Sequence, residues 1–581
     1  MTTSQSYRKL LGLLKPHKTG LFIGLSFAIV ANSLDAVGPY ILKQAFDTIG
    51  KEFVWLDLWK WAGLLVVLAV IRGVFRYHMR MKVIGVSRDA EYDLRTNYFD
   101  KLMRLPAQFF DRNRTGDLMS RATSDIENVR QMIGPAVMYL ANTIVTLLFS
   151  ITIMFMLAPS LTLYVLLLIP IVAVVIGWLG QEDFKRTDAL QEKTGELSAA
   201  VQENLSGARV IRSYAQEHRE VERLDVHNRE YYKRAVSVLR FDGSFQTAMG
   251  IIFSGGFVAI LWIGGNQLAD GKISLGTFVA FTTYLGLLAW PMIAIGWVAN
   301  LIQRGLASWQ RIMTIMETPD EPDTGTVDTA ITGSVMFKSV SLRYTEDREP
   351  ALTSVSFTIP EGGSLGIVGR TGSGKSSLAA LIPRLYPPTS GTVEIDGIPV
   401  EKYRLSTLRG SIGFVPQEAF LFSTTIAGNI AFADPTKPTE SIVKVSEMSA
   451  LSNDIEQLED GYNTLVGERG VTLSGGQKQR TAIARALLTD PKILILDDPL
   501  ANVDTATERA ILTSLEQFMR GRTTILIAHR ASTVMNCDNV LVLSNGVVVE
   551  YGSPTVLLER NGEFSELFER QRITEELAEV A

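Results

Sequence analysis

The stretch Ile493-Leu494-Ile495-Leu496-Asp497-Asp498 places two acids directly after four apolar residues. A run of this length and composition predicts a buried β-strand, so the carboxylates are expected at the end of that strand. Asp497 is the expected organiser of Mg²⁺, and Asp498 stands where a general base would orient an attacking water. The hexapeptide therefore predicts two candidate functional carboxylates at the end of one buried strand.

A glycine-rich segment lies upstream, Gly369-Arg370-Thr371-Gly372-Ser373-Gly374-Lys375-Ser376. It follows the apolar strand 365–368 and precedes the helical run 377–385, and this order is typical of a phosphate-binding loop. Its glycines let backbone N–H groups face phosphates, Lys375 reaches the β- and γ-phosphates, and the Ser376 hydroxyl can bind Mg²⁺. Ser377, the first residue of the helical run, is taken as a further nucleotide contact.

Three single residues complete the predicted ATP site. His529 follows the apolar strand 524–528 and is expected at the γ-phosphate. Gln417, in Val-Pro-Gln-Glu at 415–418, can place an amide near the metal and the water. Tyr344, about 25 residues before the phosphate loop, is the candidate for stacking on adenine. A lone histidine or a strand aromatic also has an ordinary structural interpretation, but the spacing of these residues favours a functional one.

A second anion site is predicted at Leu473-Ser474-Gly475-Gly476-Gln477, which begins the helical run 478–488. It offers the Ser474 hydroxyl, the accessible backbone N–H groups of Gly475 and Gly476, and a helix N-terminus. One domain has no need of two γ-phosphate sites. Each site is therefore expected to serve a different nucleotide across a dimer interface.

The first part of the chain predicts a membrane domain. The 581-residue sequence is 46% apolar with a mean hydropathy of +0.16, and its long uncharged runs lie in the first ~310 residues. About 20 apolar residues span a bilayer, which gives six predicted spans: 20–42, 54–77, 138–157, 161–180, 244–269 and 273–303. Buried helices of a soluble protein are the alternative, but four strongly apolar runs in one chain disfavour it.

Charge placement predicts the topology. Basic residues precede the first span, so the N-terminus is expected in the cytoplasm. The long links 78–137 and 181–243 are then also cytoplasmic, each predicted as two helical legs joined by a short tip helix, at 109–117 and 209–220. The boundaries that follow are a transmembrane domain (1–314), a linker (315–332) and a nucleotide-binding domain (333–581).

Other features set limits on function and location. The net charge of −5 gives no argument for nucleic acid as a partner. The single cysteine, Cys537, excludes an intrachain disulfide and is expected to be a buried thiol in a reducing compartment. Asp35, inside the first span, lies either near the outer interface or against a substrate.

In these motifs and in its predicted spans, the chain resembles the ATP-binding cassette exporters over essentially its whole length. The resemblance implies that residues 369–376 are the Walker A loop, 493–497 Walker B, Tyr344 the A-loop aromatic, Gln417 the Q-loop, His529 the switch histidine and 473–477 the signature. It further identifies Asn502-Val503-Asp504 as the D-loop, with Asp504 near nucleotide, and 466–470 as the X-loop of exporters. The expected fold is an all-α six-helix transmembrane domain with long cytoplasmic helical extensions, followed by an α/β P-loop nucleotide-binding domain. In that family two such half-transporters sandwich two ATP molecules.

One residue departs from the family pattern. Glu usually follows the Walker B Asp, but here the residue is Asp498. Its side chain is shorter by one C–C bond, ~1.5 Å, and a misplacement on that scale can cost about 10²-fold in rate. The chain thereby resembles the degenerate-site subunit of bacterial heterodimeric multidrug exporters. We expect a slow ATP site of its own and an intact signature that completes the partner's site.

The function expected from sequence is ATP-driven export of amphipathic compounds, lipids or peptides from a bacterial inner membrane. The expected cofactors are ATP and Mg²⁺, and the expected partners are a second half-transporter, membrane lipid and the transported substrate. A homodimeric lipid or drug exporter is the alternative within the class, and a membrane-bound nucleotide sensor that does not transport is the alternative outside it. The sequence does not identify the substrate.

Overall fold

The computed structural model describes residues 3–49, 55–467, 470, 473–500 and 505–580. The chain forms two compact units. The first combines Met1–Met103 with Thr115–Thr318, and the second combines Pro319–Ala581 with the short segment Arg104–Arg114. The second unit therefore includes residues 109–114 of the first predicted tip, whereas residues 115–117 of that tip belong to the first unit.

The described elements of the first unit are all helices. Several are much longer than the roughly 20 residues that cross a bilayer; their bounds are Thr3–Leu14, Lys18–Ile49, Trp55–Met103, Thr115–Leu157, Pro159–Leu166, Leu168–Ser206, Ala208–Ser213, Glu217–Ala269 and Leu275–Met316. The 49 residues of Trp55–Met103 extend about 74 Å at 1.5 Å per residue, which leaves a long leg beyond the span. Short helices lie at both predicted tips, Ala107–Arg112 and Ala208–Ser213.

Five helices of the described chain are long and apolar enough to cross a membrane. They contain the predicted spans 20–42, 138–157 and 244–269, and all but the first one or two residues of the predicted spans 54–77 and 273–303. The remaining predicted span, 161–180, is divided between Pro159–Leu166 and Leu168–Ser206. Pro170 explains the break, since it has no N–H to donate to the carbonyl four residues earlier, at Leu166. Sequence hydropathy alone did not reveal this interruption.

Segments of π-helix interrupt two of the long helices. Arg121–Asp125 and Met132–Ala136 lie within Thr115–Leu157, and Ile260–Gly264 lies within Glu217–Ala269. Such segments follow where the regular i→i−4 bonding is disturbed, and Met132–Ala136 contains a proline. Gly134 in that segment meets the neighbouring helix so closely that an added Cβ would lie 2.4 Å from Ser87 Oγ.

Polar side chains pair within the first unit. The carboxylate of Asp35 is buried and forms ion pairs with Arg72 and Arg76 of the next helix. Asn32, three residues earlier, donates to Asn142 Oδ1 at 2.8 Å. Asp35 therefore lies near the middle of its helix, Lys18–Ile49, and has two arginine partners.

The second unit is an α/β fold with two sheets. The strand bounds are β1 Val335–Leu342, β2 Leu352–Ile359, β3 Ser364–Val368, β4 Ser390–Ile395, β5 Ile398–Pro399, β6 Ile412–Val415, β7 Ile493–Asp497, β8 Thr523–Ile527, β9 Asn539–Ser544 and β10 Val547–Gly552. One sheet has the order β2-β1-β4-β5 with antiparallel pairs, and the other has the order β10-β9-β3-β8-β7-β6. The α-helices of this unit are Ala107–Arg112, Lys375–Leu381, Leu405–Gly410, Ile426–Ile430, Thr439–Met448, Ser452–Glu456, Gly475–Leu488, Thr505–Met519, Pro554–Glu559 and Glu563–Val580.

The central strands are covered on both faces. Every residue of β7 and β8 is buried, as expected for parallel strands between layers. Ile493 and Ile495 point into one apolar cluster, and Leu494 and Leu496 into the other. Cys537 lies in the cluster that contains Leu494 and Leu496 and is only 6% exposed, which confirms the predicted buried thiol. Burial raises the pKa of this thiol to about 12.

Candidate nucleotide-binding site

Four parallel strands bring the candidate residues to one edge of the larger sheet. β3 pairs with β8, β8 with β7, and β7 with β6, all in parallel. Their carboxyl ends therefore lie side by side, which is where ligands bind in open α/β sheets. The glycine-rich loop follows β3, Gln417 follows β6 on an exposed turn, Asp497 ends β7, and His529 follows β8.

The glycine-rich loop has a backbone that requires glycine. Gly372 and Gly374 have φ of +81° and +102°, in the region that side chains disfavour. A Cβ at Gly374 would lie 2.5 Å from the carbonyl oxygen of Ala351. The helix Lys375–Leu381 starts directly after this glycine. The loop therefore leads directly into a helix N-terminus, in the order that the sequence pattern predicts.

Lys375 lies across its own loop. Its Nζ donates to the carbonyl oxygens of Gly369 at 2.9 Å and Arg370 at 3.0 Å. Burial lowers the pKa of this ammonium, while the carboxylates of Asp497 and Asp498 act in the opposite direction. The buried hydroxyl of Ser373 has no hydrogen-bond partner within the described part of the chain.

Asp497 lies beside the start of the helix that follows the loop. The residue is 4% exposed, and burial raises the pKa of its carboxyl, opposed by a hydrogen bond with Ser376 and by the charge of Lys375. A carboxylate next to a hydroxyl fits Mg²⁺, which binds oxygen ligands and takes one or two carboxylates together with phosphates.

Asp498 and His529 face each other beyond the ends of β7 and β8. Nε2 of His529 is 3.8 Å from Oδ2 of Asp498, which is longer than a hydrogen bond. Asp498 has a φ of +50°, and its N–H donates to the carbonyl oxygen of Ile527 at 2.9 Å. The main chain of Asp498 is thus held in an unusual conformation by the neighbouring strand.

Tyr344 is connected to the helix after the loop and to a second tyrosine. Its phenol donates to the hydroxyl of Ser377 at 2.9 Å, and its ring meets Tyr386 edge to face with centroids 5.0 Å apart. Arg112 donates to the Tyr344 carbonyl oxygen at 3.3 Å. Tyr386 in turn donates to Asp111. The tip helix thus contacts the surroundings of the candidate adenine-binding residue.

The segment 473–477 forms a capped helix N-terminus. Ser474 Oγ accepts from the N–H of Gln477, and Gln477 Oε1 accepts from the N–H of Ser474 at 2.9 Å, a capping box. The helix Gly475–Leu488 packs on β6, whereas the helix after the glycine loop packs on β7 and β8. The two predicted anion sites thus lie on different elements. Asp504, with the rest of 501–504, lies outside the described residues, as do Glu468 and Arg469 of the predicted X-loop.

Comparison with known families assigns both units. Residues 21–292 match the family described as the ABC transporter transmembrane region, and residues 352–501 match the family described as ABC transporter. The chain belongs to the ABC transporters. The predicted fold, a helical transmembrane domain followed by an α/β nucleotide-binding domain, is confirmed, and the chain is an integral membrane protein whose ATPase domain couples hydrolysis to transport.

Relatives of this ABC transporter cover nearly its whole length. The probable multidrug resistance ABC transporter ATP-binding/permease protein YheI of Bacillus subtilis is 33% identical, over 95% of each chain. The ATP-dependent lipid A-core flippase of Haemophilus influenzae is 35% identical, over 98% of each. The structure of a bacterial Atm1-family ABC exporter with ATP bound matches with a TM-score of 0.81 and 29% identity, covering 96% of this chain and 99% of the other. The transporter is therefore an exporter of the lipid and multidrug type.

Sequence reasoning missed several neighbours of the site in this ABC transporter. It placed a tip helix at 109–117, but it did not identify Asp111, Arg112 or Tyr386 as neighbours of Tyr344. A tyrosine just after the helix Lys375–Leu381 carries no motif of its own. Gln571, which hydrogen-bonds to the main chain of His529 and Ala531, was missed for the same reason.

Proposed function

We propose that this transporter is one half of a heterodimeric exporter, with a slow ATP site of its own and a signature that completes the partner's site. The observation that carries the proposal is Asp498 at the position of the general base. ABC exporters act as dimers, so the two halves need not contribute equally to hydrolysis.

The geometry around Asp498 supports a slow site. Its carboxylate reaches ~1.5 Å less far than that of Glu. The hydrogen bond from its N–H to Ile527 holds the main chain on β8, so a shift of the backbone toward the phosphates would break that bond. The shortened side chain is thus not compensated locally, and a loss on the order of 10²-fold in rate is expected.

The remaining residues are assigned to ATP by their positions. Tyr344 stacks on adenine, the loop residues 369–377 bind the phosphates, and His529 contacts the γ-phosphate. Ser376 and Asp497 would hold Mg²⁺ together with Gln417, which also orients water. The cation would neutralise charge on the phosphate oxygens. Lys375 adds a fixed positive charge at the same place.

The capped N-terminus at Ser474, with Gly475 and Gly476, supports a second anion site. We assign it, with Asp504, to the nucleotide bound by the partner. ATP binding then joins the two cassettes, the tip helices transmit the closure to the spans, and hydrolysis resets them. The N-terminus and the nucleotide-binding domain lie in the cytoplasm, as the basic residues before the first span indicate.

The transported compounds are proposed to be amphipathic molecules, lipids or peptides, moved across a bacterial inner membrane. The relatives named as a lipid A-core flippase and as multidrug transporters support this class. Purification from native membranes identifies the partner. A second half-transporter with Glu after its Walker B Asp supports the heterodimer, whereas this chain alone supports a homodimer. ATP binding without ATP-dependent uptake into vesicles would indicate a sensor.

The test of the slow site is Asp498→Glu in the purified complex, with the partner's base inactivated so that turnover reports this site. We expect ATPase activity to rise by at least 10-fold. Asp490→Glu is the matched control, because Asp490 also has a left-handed φ, of +49°, but lies on the surface beside Arg522. If Asp498→Glu leaves the rate at the control value, the shortened carboxylate is not the cause of slow turnover.

A further inference from the structure

A side chain from the last helix binds the segment after β8. Gln571, on the helix Glu563–Val580, donates from Nε2 to the carbonyl oxygen of His529 at 2.6 Å. Its Oε1 accepts from the N–H of Ala531, also at 2.6 Å. A primary amide satisfies an acceptor and a donor at these two places in one orientation only. Gln571 therefore fixes the main chain on both sides of Arg530.

The helix that carries Gln571 is itself anchored in the nucleotide-binding unit. Phe564 is fully buried, and Leu567 packs on the same apolar cluster, which also contains Ala531. The carboxylate of Glu550 accepts from the N–H of Glu563 at 2.7 Å, which satisfies one of the free donors at the helix start. The Gln571 amide is thus presented from a packed element.

The imidazole of His529 depends on its main chain for its position. Its side chain is 38% exposed, and its Nε2 lies 3.8 Å from Asp498 Oδ2, too far for a hydrogen bond. The hydrogen bond from the Ala528 N–H to Ile367 O, at 3.1 Å, ties the preceding residue to the sheet. Beyond that point, the Gln571 amide holds the carbonyl of His529 itself.

We propose that Gln571 is a positioning residue for ATP hydrolysis, acting through the main chain of His529. By holding the His529 carbonyl and the Ala531 N–H, it sets where the imidazole meets the γ-phosphate. The inference rests on the proposed role of His529. The helix Glu563–Val580 lies beyond residues 352–501, which match the ABC transporter family. The inference gives this helix a role in ATP hydrolysis.

The experiment uses the full-length transporter in lipid nanodiscs, with the base of any co-purifying second chain inactivated. Gln571→Leu removes both hydrogen bonds, and Gln571→Glu keeps the acceptor for Ala531 but loses the donor to His529. Glu569→Gln is the control, because Glu569 is half-exposed and pairs with Arg572 on its own helix. Single-turnover hydrolysis of ATP, the Kd for ATP and Tm are measured for each variant, alone and combined with His529→Ala.

We expect both Gln571 variants to slow single-turnover hydrolysis about 10-fold or more, with the Kd for ATP within two-fold of the parent. On the His529→Ala background the same substitutions should change the rate by less than two-fold, because they act through His529. An equal loss on both backgrounds, or a loss explained by weaker ATP binding or by unfolding of both variants, overturns the inference. A normal rate for Gln571→Leu beside a slow His529→Ala overturns the inference alone. A normal rate for His529→Ala refutes the proposed role of that histidine itself.

Discussion

The phenol of Tyr386 donates a hydrogen bond to Oδ2 of Asp111, with 2.6 Å between the two oxygens. Asp111 lies on the tip helix Ala107–Arg112, and Tyr386 meets the ring of Tyr344. Burial, and then the Asp111 carboxylate, raise the pKa of Tyr386, so the phenol keeps its proton at neutral pH. The tip helix is thereby joined to the residue proposed to bind adenine.

Tyr386→Phe is expected to weaken the coupling between transported substrate and ATP hydrolysis. The change removes one hydrogen bond to a carboxylate but keeps the ring contact with Tyr344. A coupling of about 1 kcal/mol corresponds to roughly a 5-fold effect, so the ratio of substrate-stimulated to basal ATPase should fall several-fold. Tyr551→Phe is the control, because that phenol donates to Thr358 O at 2.9 Å within the same unit. An equal ratio in both variants would contradict the prediction.

Asp497→Asn is expected to stabilise the nucleotide-free protein while abolishing ATP turnover. Burial raises the pKa of this carboxyl, so its stabilising contribution is present below the unfolded pKa and is lost as pH rises through the folded one. At pH 7, above the unfolded pKa, part of this stabilising contribution is therefore lost, and the neutral amide of asparagine does not incur that loss.

Differential scanning fluorimetry checks this prediction, with an expected gain of about 2–4 °C in Tm for each kcal/mol. The rise in Tm caused by Mg²⁺ and ATP should disappear in the same variant. Asp434→Asn is the control, since hydrogen bonds from Thr436 lower the pKa of that exposed carboxyl. A lower Tm for Asp497→Asn without nucleotide would contradict the prediction. It would mean that the interactions of the carboxylate with Ser376 and Lys375 outweigh the free-energy cost of burying its charge.

Asp35→Asn is expected to lower the stability of the membrane domain. The substitution leaves Arg72 and Arg76 without their shared carboxylate. Removing one partner of a buried ion pair costs about 3–5 kcal/mol, and less is expected here because both arginines are partly exposed. Thermal unfolding in nanodiscs measures the loss, with Asp57→Asn as the control for an exposed pair with Lys60. An unchanged Tm with loss of cationic substrates alone would instead favour a substrate-contacting acid.

Local patterns predicted the elements of the nucleotide fold well. The strand 493–497 and the glycine-rich loop were predicted because their conformations depend on residues that are adjacent in the sequence: a run of apolar residues for the strand and glycines for the loop. The break near Leu167 and the π-helical segments were not, because hydropathy averages over a window and does not register one missing N–H.

The sequence did not predict hydrogen bonds between residues that are far apart along the chain. Tyr386 and Asp111 are 275 residues apart, and Gln571 and His529 are 42 apart. Neither pair carries a periodic or motif signal, since a single hydrogen bond needs only one donor and one acceptor. The sequence could predict which strand ends carry the site, but not which distant side chains hydrogen-bond to the site residues or their neighbours.

The hydrogen bonds of Lys375 to the carbonyls of Gly369 and Arg370 bear on how a nucleotide leaves. A phosphate that attracts this ammonium exchanges one set of acceptors for another, so the gain in affinity is the difference between the two sets. When the product departs, the lysine can return to carbonyls that are already within reach. An ammonium with such alternative acceptors stays hydrogen-bonded when no phosphate is present, and the exchange of acceptors lowers the net affinity of the loop for nucleotide.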